Sequence, residues 1–336
     1  MVVFMKNTAS DEEIETVITN LNAYGFDVHR SSGVSQTVLG AIGVQPGFDH
    51  RIIRGLNGVA DVQRVTEPYK LASRVGRDTP SIIDVEGVKI GGQKITVMAG
   101  FQGIEGRKRM ESVASNISSS GASFLRGNTL KQRTSFYEFQ GLEKDELKLM
   151  REISDQFDLK LVMEVDAAEL VGMISNYASI LVVGARNMQN FELLRELGGV
   201  NRTVLLERGF AATVEEWIMA AEYIMRSGNT HVILCERGIR TFESATRFTL
   251  DLSAVSVAKT KSHLPVFVDP SQATGIRNHV TPLARAAIAA GADGVIVDVH
   301  DDSPNASESG VQTLDFYQFS DLITQIKKVA IAVGRI

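Results

Sequence analysis

The sequence predicts an α/β protein in which a small βαββαβ ferredoxin-like domain precedes a (β/α)8 TIM barrel. Three observations carry this prediction. From Ile95 onward, short aliphatic and β-branched runs alternate with stretches of helical period, and eight such repeats fill the remaining chain, roughly 240 residues and so the usual size of such a barrel. The first 66 residues show a different order, two short strands between two helical stretches and a strand at either end, which is the split βαβ arrangement. No Gly-x-Gly-x-x-Gly turn follows the first strand of the repeating part, which weakens the alternative of a doubly wound open sheet.

The N-terminal part begins with the strand Val2-Val3-Phe4-Met5. Ser10 then opens a helix over Asp11 to Tyr24, with acids in its first turn and Ile14, Val17, Ile18 and Leu21 at helical spacing, and Gly25 stops it. Asp27 to Arg30 and Thr37 to Ile42 read as strands around a Ser31-Ser32-Gly33 turn; His50 to Leu56 is a second helix, leading into a strand over Val59 to Val65. No set of catalytic groups stands out in residues 1–66, so they read as a regulatory or interaction domain. Residues 67–94, with Pro68, Pro80 and a turn over Gly87 to Gly92, read as a linker with a small hairpin, and residues 95–336 as the barrel.

The barrel strands are placed at 95–99, 122–126, 160–164, 179–184, 203–207, 231–236, 265–269 and 294–299. Amphipathic helices are expected over Arg107 to Ser118, Glu143 to Phe157, Val214 to Met225 and Tyr317 to Val333. Trp217 falls on one of them and reads as packing, and Cys235 lies within a strand as a small buried hydrophobe.

Composition narrows the partners. The chain has 336 residues, 44% of them hydrophobic and 22% charged, with a net charge of -5 and one cysteine. A single cysteine excludes an internal disulfide framework and fits a reducing compartment. No apolar run approaches a membrane span and the N-terminus lacks a signal-peptide core, so a cytoplasmic protein without membrane contact is expected. The mild acidity argues against nucleic acid as a partner.

Residues 123–141 go against that overall charge. Phe124-Leu125 ends in Arg126, and Lys131, Arg133, Thr134 and Ser135 follow before the first acid, Glu138. Three cations and two hydroxyls on one connection suggest a local anion site. In a barrel of this kind the active site forms at the carboxyl ends of the strands. Those ends carry Gln102, Arg126, Glu164, Arg186, Glu207-Arg208, Glu236-Arg237, Asp269 and Asp298 with His300. Arginines that follow apolar runs are partly buried and need anionic partners. The residues alone therefore indicate a barrel enzyme for doubly anionic small molecules.

Several long motifs in this rim resemble 3-deoxy-D-arabino-heptulosonate-7-phosphate (DAHP) synthases of the type I beta subtype, which carry an N-terminal ferredoxin-like domain. They are Leu-Arg-Gly-x-x-x-Lys-x-Arg-Thr-Ser-x-Tyr-x-Phe-Gln-Gly (125–141), Gly-Ala-Arg-Asn-x-Gln-Asn (184–190), Leu-Cys-Glu-Arg-Gly-Ile-Arg-Thr-Phe (234–242), Ser-His-Leu-Pro-x-x-x-Asp-Pro-Ser (262–271) and Leu-Asp-Phe (314–316). The resemblance implies an aldol-type transferase of aromatic amino acid biosynthesis, in the shikimate pathway, that condenses phosphoenolpyruvate with erythrose 4-phosphate or a related phosphosugar and releases phosphate. It implies that Arg126, Lys131, Arg186 and Arg237 contact phosphoenolpyruvate and that Arg133, Thr134 and Ser135 hold the aldose phosphate. Glu164 is then expected near the water that attacks C2 and is a catalytic candidate together with Lys131, Glu207 and His300, while Arg208 is a further substrate-binding candidate. It also implies a homo-oligomer, dimer or tetramer, and an aromatic amino acid effector at the N-terminal domain.

The same comparison exposes departures. The metal-binding cysteine and histidine of the family are replaced by Gln102 and Gln272, and the remaining two ligand positions hold Asp298 and Asp315. Two amides and two short carboxylates suit neither soft nor borderline metals, so the expected cofactor is none, or a weakly bound divalent cation. A lysine of the family is replaced by Glu207, a change of two charge units at a phosphate-binding position, and Glu207 is expected either to pair with Arg186 or Arg208 or to select a substrate that carries a positive or hydroxyl group there. Three readings follow: an active DAHP synthase with an unusual or absent metal, a reprogrammed relative with another reaction in specialised biosynthesis, and a catalytically silent regulatory paralogue.

Overall fold

The computed structural model describes residues 1–32, 37–43, 48–63, 68–75, 77, 79–102, 106–128, 144–301 and 311–336. The chain divides into two compact units, Met1–Thr79 and Pro80–Ile336.

In the first unit, β1 (Val2–Met5), α1 (Asp11–Ala23), β2 (Asp27–Ser32), β3 (Thr37–Ile42), α2 (Arg51–Arg54) and β4 (Val59–Gln63) follow in order. The four strands form one sheet in the order β2-β3-β1-β4, with β1 antiparallel to both neighbours. This is the expected ferredoxin-like arrangement. Helix α1 starts where Ser10 and Glu13 form a reciprocal capping box, which satisfies two otherwise orphaned N–H groups. Its Ile14, Val17 and Leu21 face a core with Val3, Met5, Leu39 and Ala41. Helix α2 is shorter than its sequence pattern suggests, a single turn capped at Gly55.

The second unit opens with a hairpin, β5 (Ile83–Val85) and β6 (Val88–Ile90), whose turn is at Glu86-Gly87. Eight parallel strands then close into a barrel: β7 (Thr96–Gln102), β8 (Phe124–Asn128), β9 (Lys160–Glu164), β10 (Ile180–Val183), β11 (Thr203–Glu207), β12 (Val232–Glu236), β13 (Val266–Val268) and β14 (Gly294–Asp298). Each lies within a few residues of its expected position. The surrounding helices are α3 (Arg107–Ser120), α4 (Lys144–Gln156), α5 (Val171–Ile174), α6 (Phe191–Gly198), α7 (Val214–Arg226), α8 (Leu252–Lys261), α9 (Pro270–Thr274), α10 (Arg277–Ala289) and α11 (Phe316–Ala332). Among the described residues, no helix is long and apolar enough to cross a membrane.

The hairpin belongs with the barrel rather than acting as a linker. Its Ile83, Val85 and Ile90 share one core with the inward-facing Met98, Phe124, Val162, Ile180, Leu205, Ile233, Cys235 and Phe267. Phe124 and Ile180 are the first residues of their strands, so this apolar core fills the amino-terminal half of the barrel. Ser81 fastens the hairpin by donating its N–H to the His263 carbonyl at 2.8 Å, while its hydroxyl meets His263 Nδ1 at 2.8 Å. His263 is thus structural, as is Trp217, whose buried indole donates to the Leu206 carbonyl at 3.0 Å. With the lower half closed by apolar side chains, polar groups are left to the carboxyl end.

Candidate active site

The centre of the carboxyl end is an ion-pair network around Arg126. Register places Asp298 of β14 and Arg126 of β8 on either side of Gly100 of β7, and since glycine has no side chain, the guanidinium reaches across. One of its terminal nitrogens, Nη1, donates to Asp298 Oδ1 at 2.8 Å and to Asp269 Oδ2 at 3.0 Å. Asp298 Oδ2 accepts the amide of Gln272 at 3.0 Å and that of Gln312 at 2.5 Å. Asp269 also caps α9, accepting from the Gln272 N–H at 2.8 Å. Burial works against the charge of Arg126, yet the carboxylates around it outweigh that cost and hold its pKa above the ordinary value. Burial pushes Asp269 upward, although Arg126 opposes the shift.

A second group of carboxyls converges on the turn after β10. Glu164 ends β9 with its carboxyl so close to Gly184 that a Cβ there would lie 2.2 Å from Oε1. On the other side, Glu207 of β11 accepts the Ala185 N–H at 3.0 Å. Glu164 is pushed up to about 8 by desolvation, reinforced by Glu207 and Asp166. Asp166 is also raised by burial, while its hydrogen bond to Glu164 and the charge of Arg186 pull the other way. Two carboxyls that share a hydrogen bond hold a proton between them.

Glu207 pairs with neither arginine expected for it. Its partner is Arg237, whose Nε lies 3.6 Å from Glu207 Oε2. Arg237 is buried, donates to Gln272 Oε1 at 3.1 Å, and borders the stacked rings of Phe210 and Phe248 at 5.0 and 4.9 Å. Arg208 is spent on Glu236 at 2.8 Å, Asp251 at 2.9 Å and the Ala212 carbonyl at 2.9 Å. It braces the β11–β12 side of the barrel and is not offered to a ligand. Arg186 is exposed in the short turn after β10. His300 is fully buried, with Nδ1 3.3 Å from Asp301, which in turn meets Arg109 at 3.1 Å.

The structure thus brings Arg126, Glu164, Glu207, Arg237, Gln272 and Asp298 to one rim. Lys131, Arg133, Thr134 and Ser135 lie outside the described residues, and only the backbone of Gln102, at the end of β7, is described. Sequence reasoning gave Asp269 no role and passed over Asp166, Arg247 and Gln312. Asp269 was legible as the cap of Asp-Pro-Ser, and Asp166 as the residue that returns to the face of Glu164 two positions on. No pattern singles out Gln312.

Among the described residues, the candidate donors do not fit a divalent cation. Both oxygens of Asp298 are taken, Gln272 turns its amide nitrogen to Asp298 and its oxygen to Arg237, and Asp315 caps α11 through the Gln318 N–H at 2.8 Å. A cationic guanidinium already sits between Asp269 and Asp298, where an added cation would meet its repulsion. Among the described residues, no group of three or more His, Cys, Asp and Glu side chains is arranged to hold a metal.

Comparison with known proteins matches this architecture to one family. The DAHP synthetase I family profile covers residues 73–334, and that of the DAHP synthase ferredoxin-like domain covers residues 1–67. The chain belongs to the DAHP synthetase I family. It is 44% identical over 334 residues to the phospho-2-dehydro-3-deoxyheptonate aldolase of Thermotoga maritima, covering 99% of each chain. A crystal structure of phospho-2-dehydro-3-deoxyheptonate aldolase (DAHP synthase) from Thermotoga maritima superposes with a TM-score of 0.79, over 99% of this chain and 98% of that one. A more distant relative, the 2-dehydro-3-deoxyphosphooctonate aldolase of Koribacter versatilis, is 25% identical over 274 residues, 74% of this chain and 96% of its own. Within this DAHP synthetase I chain, the closed barrel and the N-terminal four-stranded sheet are the two domains that these profiles match.

Proposed function

We propose that this protein is a DAHP synthase, joining phosphoenolpyruvate to erythrose 4-phosphate in an aldol-type condensation with release of inorganic phosphate. The observation that carries the reading is Arg126 and Arg237, both buried and both aimed into one rim, in a chain 44% identical over nearly its whole length to a phospho-2-dehydro-3-deoxyheptonate aldolase. Two buried guanidiniums suit a substrate that carries a phosphate and a carboxylate. Lys131 and Arg186 complete the contacts to phosphoenolpyruvate in this proposal, and Arg133, Thr134 and Ser135 hold the aldose phosphate.

The enol C3 attacks the aldehyde carbon, and the aldehyde oxygen takes up a proton. Glu164, pushed up to about 8, holds a proton at neutral pH and supplies it. Water adds at C2, and Glu207, fixed by the Ala185 N–H and Arg237, takes the proton that leaves it. The C2–O bond to phosphate then breaks, the C2 hydroxyl becomes the ketone, and its proton goes to the departing phosphate. Since the Asp298 oxygens and the Gln272 amide are engaged within the protein, polarisation of the aldehyde falls to the guanidinium and carboxyl groups of the rim. From the family resemblance we further propose a homo-oligomer whose ferredoxin-like domain binds an aromatic amino acid effector.

The test is incubation of the purified protein with both substrates while the enolpyruvate absorbance is followed. Consumption that requires erythrose 4-phosphate and releases equimolar phosphate is the expected result. Binding of phosphoenolpyruvate without turnover overturns the reading.

A further inference from the structure

Arg247 lies in the connection between β12 and α8, on no strand end and outside every expected substrate contact. Its backbone is docked on the last turn of α9: the Arg247 N–H donates to the Thr274 carbonyl at 3.1 Å, and the next N–H, of Phe248, donates to the Ala273 carbonyl at 2.8 Å. Its guanidinium lies against Gly275, where a Cβ would stand 3.0 to 3.1 Å from Nε, Cζ and Nη2. Gly275 is at φ +68, the left-handed conformation that glycine adopts at no steric cost. That glycine ends α9 and leaves room for the side chain.

This docking brings Arg247 to Arg237. Nη1 of Arg247 is 3.5 Å from Gln272 Oε1, the same oxygen that accepts from Arg237 Nη2 at 3.1 Å. Two guanidiniums therefore meet on one neutral amide oxygen. Among the described residues, Arg247 forms no ion pair with a carboxylate. The Nε of Arg237 is buried without a hydrogen-bond partner, and Arg237 is only 8% exposed. That Nε meets only the Glu207 carboxylate, at 3.6 Å and beyond hydrogen-bond reach, so two guanidiniums share one carboxylate and one neutral amide oxygen. The excess positive charge favours an arriving anion, and a dianion with several acceptor oxygens suits two planar forks.

We infer that Arg247 is a further substrate-binding residue, forming with Arg237 a twin-guanidinium seat for a phosphate ester dianion, with both heads aimed by the side-chain oxygen of Gln272. This deepens the synthase reading and rests on it for the identity of the ester, which is either of the two phosphorylated substrates. In this seat Gln272 is a positioning residue that holds two cations close enough to share one phosphoryl group.

The test is titration calorimetry on the full chain, with orthophosphate, phosphoenolpyruvate and erythrose 4-phosphate each used alone, for wild type, Arg247→Gln and Arg247→Lys. Loss of one charge-assisted pair is expected to weaken orthophosphate and one of the two esters by about 10- to 100-fold in Arg247→Gln. Arg247→Lys, which keeps the charge without the fork, should fall between. The ester that weakens identifies the source of the phosphoryl group. Should Arg247→Gln fail to fold, Arg247→Lys is read alone, and a loss of at least threefold is required. Variants that bind all three probes like wild type overturn the inference and leave the synthase reading standing. Arg247-dependent binding of orthophosphate with no binding of either ester supports the seat and overturns the synthase reading. A wild-type chain that binds none of the three overturns both.

Discussion

Gln272 donates its side-chain amide to Asp298 Oδ2 at 3.0 Å, so two residues at positions expected to ligate a metal are instead bound to each other. Asp298 Oδ1 is held by Arg126 at 2.8 Å, and the network is neutralised from within. Prolonged chelation followed by desalting is therefore expected to leave turnover within about twofold of the untreated protein, and added magnesium or manganese to change it no more. The check is an initial-rate assay on chelated and metal-supplemented samples. A rate that collapses on chelation and returns with one metal contradicts the network as drawn.

Glu164 gives the site a pH dependence of definite sign. Its folded value, about 8, is above the ordinary carboxylate value of 4.5, so between those limits the folded state binds more protons than the unfolded state. Its contribution to stability therefore falls as pH rises from about 4.5 to about 8 and is level above that, with a slope of up to about 1.4 kcal/mol per pH unit. Denaturant unfolding of wild type and Glu164→Gln across this range is expected to show the slope in the first and its loss in the second. The rate should also decline above about pH 8 in wild type as the proton is lost. A decline that persists unchanged in Glu164→Gln assigns it to another group.

Gly184 and Glu164 are expected to behave as one unit. A methyl at Gly184 would sit 2.2 Å from Glu164 Oε1, and the backbone there, at φ -63, is open to any residue. The effect of Gly184→Ala is thus steric rather than conformational, displacing the carboxyl at a cost of about 1–3 kcal/mol. Turnover should fall with it. Because Glu164→Ala removes the clashing group, the double variant is expected to be more stable than the sum of the single effects, a coupling read from a double-mutant cycle of unfolding free energies.

Much of this was legible in the chain, and the exceptions have a common physical cause. Strand positions follow from local apolar runs such as Ile180–Val183, and helix starts from caps such as Ser10 with Glu13. Arg126 and Arg237 announced themselves as cations after apolar strands. What sequence could not give is partner choice among residues far apart in the chain. Glu207 reaches past the adjacent Arg208 to Arg237 because successive residues near a strand end point in opposite directions. The Asp298–Gln312 bond and the Arg247–Gln272 contact depend on barrel closure and on how α9 ends, which no local pattern encodes. The hairpin was legible within residues 67–94, but its packing was not, because Ile83, Val85 and Ile90 meet side chains that only the closed sheet brings together.

Glu207→Lys is the most informative single substitution. In the empty protein the ammonium would lose the Ala185 N–H as a donor to Glu207 and would face Arg237, now 3.6 Å from the carboxylate. At about 4 Å and an effective dielectric near 20, a unit pair is worth about 4 kcal/mol, so replacing attraction by repulsion is expected to destabilise the free variant by several kcal/mol. A bound phosphate would offset that repulsion, since it gives both cations a shared partner. The variant should accordingly melt well below wild type without ligand, and phosphoenolpyruvate should raise its midpoint more than it raises that of wild type. Thermal melts of both proteins across a range of phosphoenolpyruvate concentrations provide the check. If Glu207 takes the proton from the attacking water, the tighter binding comes with a lower turnover number. A Glu207→Lys protein that instead turns over faster than wild type would assign that proton to another acceptor.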